Sequence, residues 1–192
     1  MTAMRAEPGE FVDRETIRFV RRSPHPVELV WEMLTEPKHL KAWFMTAQLD
    51  LRVGGRFAFG HAEDPHLAGV IIALEPPTVI EFANTTTLRA YGYVDATERL
   101  RFELASVGDG CLLVFTQHFP ADTIGQSGDF EGSDVPAPGT PWRTGFLAGY
   151  HHFLERLGRY LDDRDIPLKA HDDRWHELDS LYRRHILDRF NC

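Results

Sequence analysis

Alternating hydrophobic and polar positions predict a series of β-strands between residues 15 and 119. In the segment 15–22, Ile17 and Phe19 lie on one face while Arg18 and Val20 lie on the other, as in a half-buried strand. The same period of two recurs in segments 47–53, 56–61, 68–74, 79–86, 99–105 and 111–119. Short connections separate most of them, and Gly54-Gly55 is typical of a tight hairpin. We therefore expect six or seven antiparallel strands.

A change to helical spacing predicts two short helices after the first strand. Ser23-Pro24 is a capping hydroxyl followed by a proline at the first helical position. The apolar residues that follow at positions i, i+3, i+4 and i+7 are Val27, Val30, Trp31 and Leu34. Thr35-Glu36-Pro37 repeats the cap-then-proline signal and predicts a second helix that ends near Trp43 and Phe44.

A long loop is predicted over residues 121–141, which are rich in glycine and proline, and we interpret it as a possible lid. The longest helix is predicted after this loop. An apolar residue recurs at steps of three and four over about 20 residues, at Trp142, Phe146, Gly149, Phe153, Leu157 and Tyr160. Beyond Pro167 a second amphipathic helix carries the stripe Trp175, Leu178, Leu181, Tyr182, Ile186 and Leu187.

Together these elements predict an α+β helix-grip fold, in which a curved antiparallel sheet covers its apolar face with the long helix over 142–161. A curved sheet and a cylinder match imperfectly in shape, so we expect a pocket between them. The predicted organisation is a flexible N-terminus over 1–13, one domain over 14–164 and a helical extension over 165–192.

Composition and charge narrow the classes of partner. Among the 192 residues, 43% are hydrophobic and the formal net charge is −8, with no compact basic stripe. We therefore expect no nucleic-acid partner. Without a long apolar stretch or a secretion signal, we expect a soluble cytoplasmic protein that does not bind a membrane. Cys111 and Cys192 have no partner at metal-ligand or redox spacing, so we expect free thiols.

Several motifs, in this order, resemble the family of the activator of the heat-shock-protein-90 ATPase, which belongs to the START-related SRPBCC superfamily. The motifs are Leu34-Thr35-Glu36-Pro37 with Trp43-Phe44, the segment 50–57, the segment 69–77 and the helical segment 149–157. The resemblance spans about residues 15–161 and implies a hydrophobic cavity between sheet and closing helix. It implies no single activity, because superfamily members bind lipids, hormones or polyketides, and some cyclise or dehydrate polyketides.

Aromatic residues on the predicted strands and helices are the candidates for lining that cavity. They could equally fill it as ordinary core, and the tyrosines are the better candidates because a buried hydroxyl needs a partner. The candidate lining residues are Trp43, Phe57, Phe59, Phe82, Tyr91, Tyr93, Phe102, Phe115, His118, Phe146, Tyr150 and Phe153.

Polar candidates are few. His151 and Glu155 are spaced i and i+4 but supply only two ligands, so we expect no metal site, and no motif implies a cofactor. Arg89, Arg99 and His152 are further groups that could orient a ligand.

Three functions remain open at this point. A module that binds a small hydrophobic molecule is favoured. An enzyme of the cyclase or dehydratase kind would need tyrosines, His118 or His152 and an arginine to converge. A protein-interaction role would use a chaperone partner or a homodimer formed through the C-terminal helix.

Overall fold

An eight-stranded antiparallel sheet forms one wall of the protein in the computed structural model, which describes residues 4, 7–13, 15–86, 97–120, 144–165 and 173–190. The strands are β1 (Glu10–Phe11), β2 (Thr16–Ser23), β3 (Ala47–Leu49), β4 (Arg56–Gly60), β5 (Pro65–Glu75), β6 (Val79–Asn84), β7 (Glu98–Val107) and β8 (Gly110–His118). Their spatial order is β1-β2-β8-β7-β6-β5-β4-β3. Strands β3 to β8 thus form a meander, and β2 pairs with its last strand.

Four helices among the described residues accompany the sheet: α1 (Val27–Thr35), α2 (Pro37–Trp43), α3 (Thr144–Asp162) and α4 (Asp173–Phe190). Helix α3 has an apolar face that includes Leu147, Leu154 and Leu157, each at most 1% exposed. These residues share one hydrophobic core with inward-facing strand residues such as Phe19 and Phe115. The predicted α+β helix-grip architecture is confirmed, with eight strands instead of six or seven. The additional strand is β1, two residues that pair with Ile17 and Arg18 of β2.

The predicted start of the first short helix is wrong by a few residues, whereas the second begins at the predicted proline, Pro37, with a different cap residue. Ser23 pairs with Cys111 as the last residue of β2, and its hydroxyl accepts a hydrogen bond from the His25 amide at 3.2 Å. Helix α1 therefore begins only after Pro26. Thr35 is the last residue of α1, where its hydroxyl donates to the Trp31 carbonyl at 2.8 Å. Because Thr35 is used in this way, Glu36 takes the cap position of α2, which has no side-chain cap.

The glycine pair that was predicted to form a hairpin lies in a turn between β3 and β4. Gly54 has a φ of +79°, a conformation that favours glycine. A Cβ on Gly55 would lie 1.9 Å from the Asp50 carbonyl oxygen, so only glycine fits there. The turn is also fixed to β5, because Gly54 N donates to the Ile71 carbonyl and Ile71 N donates to the Gly55 carbonyl.

Helix α4 packs on α3 of the same chain. Leu178 and Tyr182 of its apolar stripe are each 2% exposed, whereas Leu181 is 42% exposed. The indole of Trp175 lies over Gly145 and Gly149 of α3, where the absence of side chains leaves room for it. The stripe predicted as a dimer surface is thus largely used within the chain, and the side chains of Ile186 and Leu187 lie outside the described residues. No helix in the described ranges has the length and hydrophobicity needed to span a membrane.

Candidate functional site

The predicted aromatic residues on the inner face of the sheet meet α3 in a continuous group of rings. Ring centroids lie 4.3 Å apart for Phe115 and Tyr150, 4.7 Å for Phe102 and Phe115, and 4.8 Å for Phe57 and Phe82. Such separations are those of packed aromatic pairs. Strand and helix residues that are far apart in the sequence therefore form one aromatic wall.

A small cavity remains inside this wall. Its volume is about 10 Å³, which is the room of a single water molecule. Most of the expected space is filled by the rings themselves. Six of the predicted lining residues border the cavity: Trp43, Phe59, Phe82, Phe102, Phe115 and Tyr150.

The ring of Phe44 also borders the cavity, although the sequence analysis placed this residue only at the end of the second helix. Phe44 is half-buried, and its centroid lies 4.7 Å from that of Phe153, 5.3 Å from that of Phe59 and 6.5 Å from that of Tyr150. It follows the last residue of α2 and belongs to neither a helix nor a strand. Its ring thus extends from the cavity toward the protein surface between α2 and α3.

Other predicted residues lie elsewhere. His118 is on the outer side of β8, where its ring faces Thr16 Oγ1 at 3.3 Å and Glu15 at 3.7 Å. Arg99 pairs with His118 in the register and is exposed. Phe146 packs against Phe119 with centroids 5.3 Å apart and does not border the cavity.

His152 is buried at 7% exposure but is likewise absent from the cavity wall. Tyr91, Tyr93, Arg89 and the predicted lid over 121–141 lie outside the described residues.

Sequence reasoning missed a buried polar row that continues the inner face of the sheet. Asn84 of β6, Glu98 of β7 and Gln117 of β8, here called the polar row, are each 0% exposed. The Gln117 amide nitrogen donates to Glu98 Oε2 at 2.6 Å, and the Asn84 amide nitrogen donates to Glu98 Oε1. Both carboxylate oxygens of Glu98 therefore accept hydrogen bonds from N–H donors, as fits an ionised carboxylate.

The polar row lies next to the cavity because of the strand period. Asn84, Glu98 and Gln117 are each two residues along their strand from Phe82, Leu100 and Phe115, which border the cavity. Residues two apart share a face and lie about 7 Å apart. A polar group thus follows directly after the aromatic wall on all three central strands.

The signal for the polar row was present in the sequence. The alternation within the predicted strands 79–86 and 111–119 places Asn84 and Gln117 on the apolar face, and extending the strand 99–105 by one residue places Glu98 in phase with Leu100.

Tyr150 of the aromatic wall is within electrostatic range of Glu98 in the polar row. Burial raises the pKa of its hydroxyl well above the ordinary value, and the negative charge of Glu98 raises this pKa further. Tyr150 therefore remains a neutral phenol that can donate or accept a hydrogen bond.

A second, wider space lies on the opposite face of the sheet. It is an open groove of about 800 Å³ along β3 to β6, and small side chains such as Ala58, Ala68 and Ala83 form its floor. Val70, also in the groove, is 38% exposed. The groove provides a second surface against which binding in the inner cavity can be compared.

Comparison with known protein families identifies the family of this chain. The sequence profile of the family described as activator of Hsp90 ATPase homolog 1-like protein matches residues 24–162. The chain belongs to this family. No curated protein sequence matches the chain significantly.

Several solved structures share the fold of this chain, although their sequence identity to it is low. CalU16 from Micromonospora echinospora is 18% identical with a TM-score of 0.60, covering 95% of this chain and 91% of its own. Protein MLL2253 from Mesorhizobium loti is 23% identical with a TM-score of 0.59, covering 79% and 99%. PFC0360w from Plasmodium falciparum, described as an HSP90 activator, is 18% identical with a TM-score of 0.57, covering 77% and 96%. These likenesses establish the fold alone.

The family match ends with the last residue of α3, and a polar cluster attaches α4 beyond it. The Gly9 amide donates to the Tyr182 hydroxyl at 2.7 Å, and the same hydroxyl is hydrogen-bonded to His151 Nδ1, also at 2.7 Å. The other ring nitrogen of His151 lies 3.4 Å from Glu155, whose carboxylate accepts hydrogen bonds from two N–H groups of Arg174 of α4. His151 and Glu155 thus form part of a helix–helix contact. Groups of three or more metal-ligating side chains do not occur among the described residues.

Three pKa values are shifted in and beside this cluster. Burial alone would raise the pKa of Glu155, but the interaction with His151 and the hydrogen bonds from Arg174 lower it to about 2. Burial raises the pKa of Tyr182 to about 12. Arg21 of β2 faces the same cluster at 1% exposure, over the Phe19 ring at 5.2 Å, and burial lowers its pKa.

Proposed function

We propose that this family member binds a small hydrophobic molecule between the inner face of the sheet and α3. The observation that supports the proposal is the ring-lined cavity at this position, bordered by the half-buried Phe44. Burial of apolar surface against such a wall would supply the binding free energy, at roughly 25 cal/mol per Å². The neighbouring polar row would orient the molecule, as a few convergent polar groups do in ligand pockets.

Binding requires the aromatic wall to open. Pockets for ligands of ordinary size occupy several hundred Å³, whereas the cavity measures about 10 Å³. Phe44 is the ring best placed to move, because it lies outside regular secondary structure and is only half-buried. If its ring swings outward, the space between Phe59, Tyr150 and Phe153 becomes continuous with the surface.

The experiment is a thermal-shift series with naphthalene-sized aromatic molecules and fatty acids. A ligand that binds only the folded state raises Tm, by an amount that corresponds to about 2.7 kcal/mol at a concentration of 100 Kd. Leu100→Phe adds volume inside the cavity and is expected to abolish the shift. Val70→Phe adds a similar volume on the opposite face and is expected to leave it unchanged.

Two results would contradict the proposal. The first is no stabilisation by any molecule of the series. The second is loss of the shift in Val70→Phe with retention in Leu100→Phe, which would place binding in the outer groove.

The other two functions have less support from the described residues. An acid–base pair of His118 and Tyr150 is not assembled, because His118 lies on the outer side of β8 and Tyr150 faces the inner side. The activation of HSP90 is a description of PFC0360w, which shares only the fold with this chain. A homodimer through α4 would have to use surfaces other than Leu178 and Tyr182, which are buried within the chain.

A further inference from the structure

The polar row contains one acceptor that the described part of the chain leaves without a donor. Gln117 is 0% exposed, and its carbonyl oxygen Oε1 has no hydrogen-bond partner among the described residues. A buried amide oxygen without a partner has lost the free energy of its hydrogen bond with water. A group that donates a hydrogen bond to this atom would recover that free energy.

The orientation of the Gln117 amide follows from its neighbours. The Asn84 side-chain oxygen accepts from the Ala68 amide at 2.8 Å and from the Thr86 amide at 3.3 Å, so its nitrogen is directed at Glu98. The second Glu98 oxygen accepts from the Gln117 nitrogen at 2.6 Å. One N–H group of the Gln117 amide is used by Glu98, which fixes the orientation of the amide and leaves its carbonyl oxygen as an acceptor for another contact.

The position of Gln117 on β8 brings its side chain near the cavity. Gln117 lies two residues after Phe115 on the same face of β8, and the Phe115 ring borders the cavity against Tyr150. That spacing is about 7 Å. A molecule whose apolar body lies against Phe115 and Tyr150 can therefore reach Gln117 with a short polar end.

We propose that the molecule bound in the cavity carries a hydroxyl or similar hydrogen-bond donor that binds Gln117 Oε1, and that the Glu98 carboxylate excludes molecules ending in a carboxylate. This inference rests on the proposed function and specifies its ligand class. A donor is selected because the unpartnered Gln117 oxygen is a hydrogen-bond acceptor. An acid is rejected because two like charges in a buried environment repel strongly.

The test uses three probes with one apolar body: naphthylmethanol, ethylnaphthalene and naphthoic acid, all substituted at the same ring carbon. Their dissociation constants are measured by calorimetry at neutral pH. The alcohol is expected to bind at least as tightly as the ethyl compound, although its hydroxyl is better hydrated in water. The ionised acid is expected not to bind.

Variants of Gln117 and Glu98 show which side chain is responsible for each binding preference. In Gln117→Met, which keeps the length of the side chain but removes the acceptor, the alcohol is expected to weaken about tenfold relative to the ethyl compound, the equivalent of 1.4 kcal/mol. In Glu98→Gln, the acid is expected to gain measurable affinity. Glu103→Gln on the same strand, whose side chain is 44% exposed, serves as the matched control and is expected to preserve all three affinities.

The outcomes separate this inference from the proposed function. Binding of the alcohol and the ethyl compound with no change of their ratio in Gln117→Met, or tight binding of the acid by the unmodified protein, overturns the donor-selective site while leaving the hydrophobic cavity intact. Absence of binding by all three probes overturns both. Because the three probes already differ on the unmodified chain, the test holds even if a variant fails to fold.

Discussion

The Tyr182 hydroxyl lies 2.7 Å from Nδ1 of His151, and this hydrogen bond joins α4 to the helix that closes the sheet. The same hydroxyl accepts from the Gly9 amide, so three separate segments of the chain meet at one oxygen atom. The extension beyond the family domain is therefore attached by a specific buried contact as well as by the apolar contacts of Leu178.

Replacing Tyr182 with phenylalanine is expected to lower the free energy of unfolding by about 1–3 kcal/mol. The ring and its packing are retained, but the Gly9 amide and His151 Nδ1 both lose their partner. Urea denaturation measures the change. Leu181→Ala, at the neighbouring exposed position, serves as the control and is expected to change stability by no more than about 0.5 kcal/mol. Equal stability of Tyr182→Phe and the unmodified protein would mean that the hydroxyl contributes nothing to the attachment of α4.

Acid is expected to weaken the same helix–helix contact. The pKa of Glu155 is about 2 in the folded protein, below the value near 4.3 of an unfolded chain. The unfolded state therefore binds a proton more readily, and the stability due to Glu155 is present above about pH 5 and is lost as the pH falls toward 2. Glu155→Gln is expected to flatten the dependence of the unfolding free energy on pH in this window. An unchanged slope in Glu155→Gln would show that the carboxylate is not held in its charged form by Arg174 and His151.

The amide of Asn84 is expected to be important for stability as well as for the site. In Asn84→Ala the Ala68 amide and the Glu98 carboxylate each lose a buried partner, which should cost about 2–5 kcal/mol. Gln48→Ala removes an exposed amide from edge strand β3 and is expected to have little effect. Thermal and urea unfolding of the two variants provide the comparison. Similar stabilities would contradict the account of the polar row as a connected network.

Two glycines are expected to respond oppositely to alanine. A Cβ on Gly69 would lie 1.9 Å from the Ala83 carbonyl oxygen of the neighbouring strand, so Gly69→Ala should destabilise by more than about 2 kcal/mol. A Cβ on Gly145 of α3 would meet Trp175 at 3.8 Å, an ordinary contact. Gly145→Ala should therefore stabilise by about 0.4–1 kcal/mol through loss of backbone freedom in the unfolded chain. A destabilised Gly145→Ala would show that α4 packs more closely on α3 than the structure indicates.

Periodicity in the sequence predicted the wall and the helix but not the space between them. Ile17 and Phe19 are both 0% exposed, as the alternation in the first strand required. The same alternation puts Gln117 inside and His118 outside, so His118 was a poor candidate once the phase of Phe115 was extended. Glu98 was missed because the predicted strand began one residue later, at Arg99, and strand ends are the least certain part of a pattern.

The size of the cavity could not be predicted from the pattern. It depends on how closely rings from distant segments approach one another, such as Phe44, Phe115 and Tyr150. Hydrophobic periodicity defines which face a ring occupies but not its rotamer or the curvature of the sheet. The capping residues were misassigned for a similar reason, because Ser23 and Thr35 form local hydrogen bonds within other elements.

Methyl NMR during titration with naphthylmethanol shows whether a small hydrophobic molecule binds between the sheet and α3. Chemical-shift changes are expected at the methyl groups of Leu34, Leu67 and Leu100, which border the inner cavity. The methyl groups of Ala58, Val70 and Ala83 in the outer groove should remain unchanged. Chemical-shift changes confined to the outer groove, or none at a saturating concentration of the probe, would contradict binding between the sheet and α3.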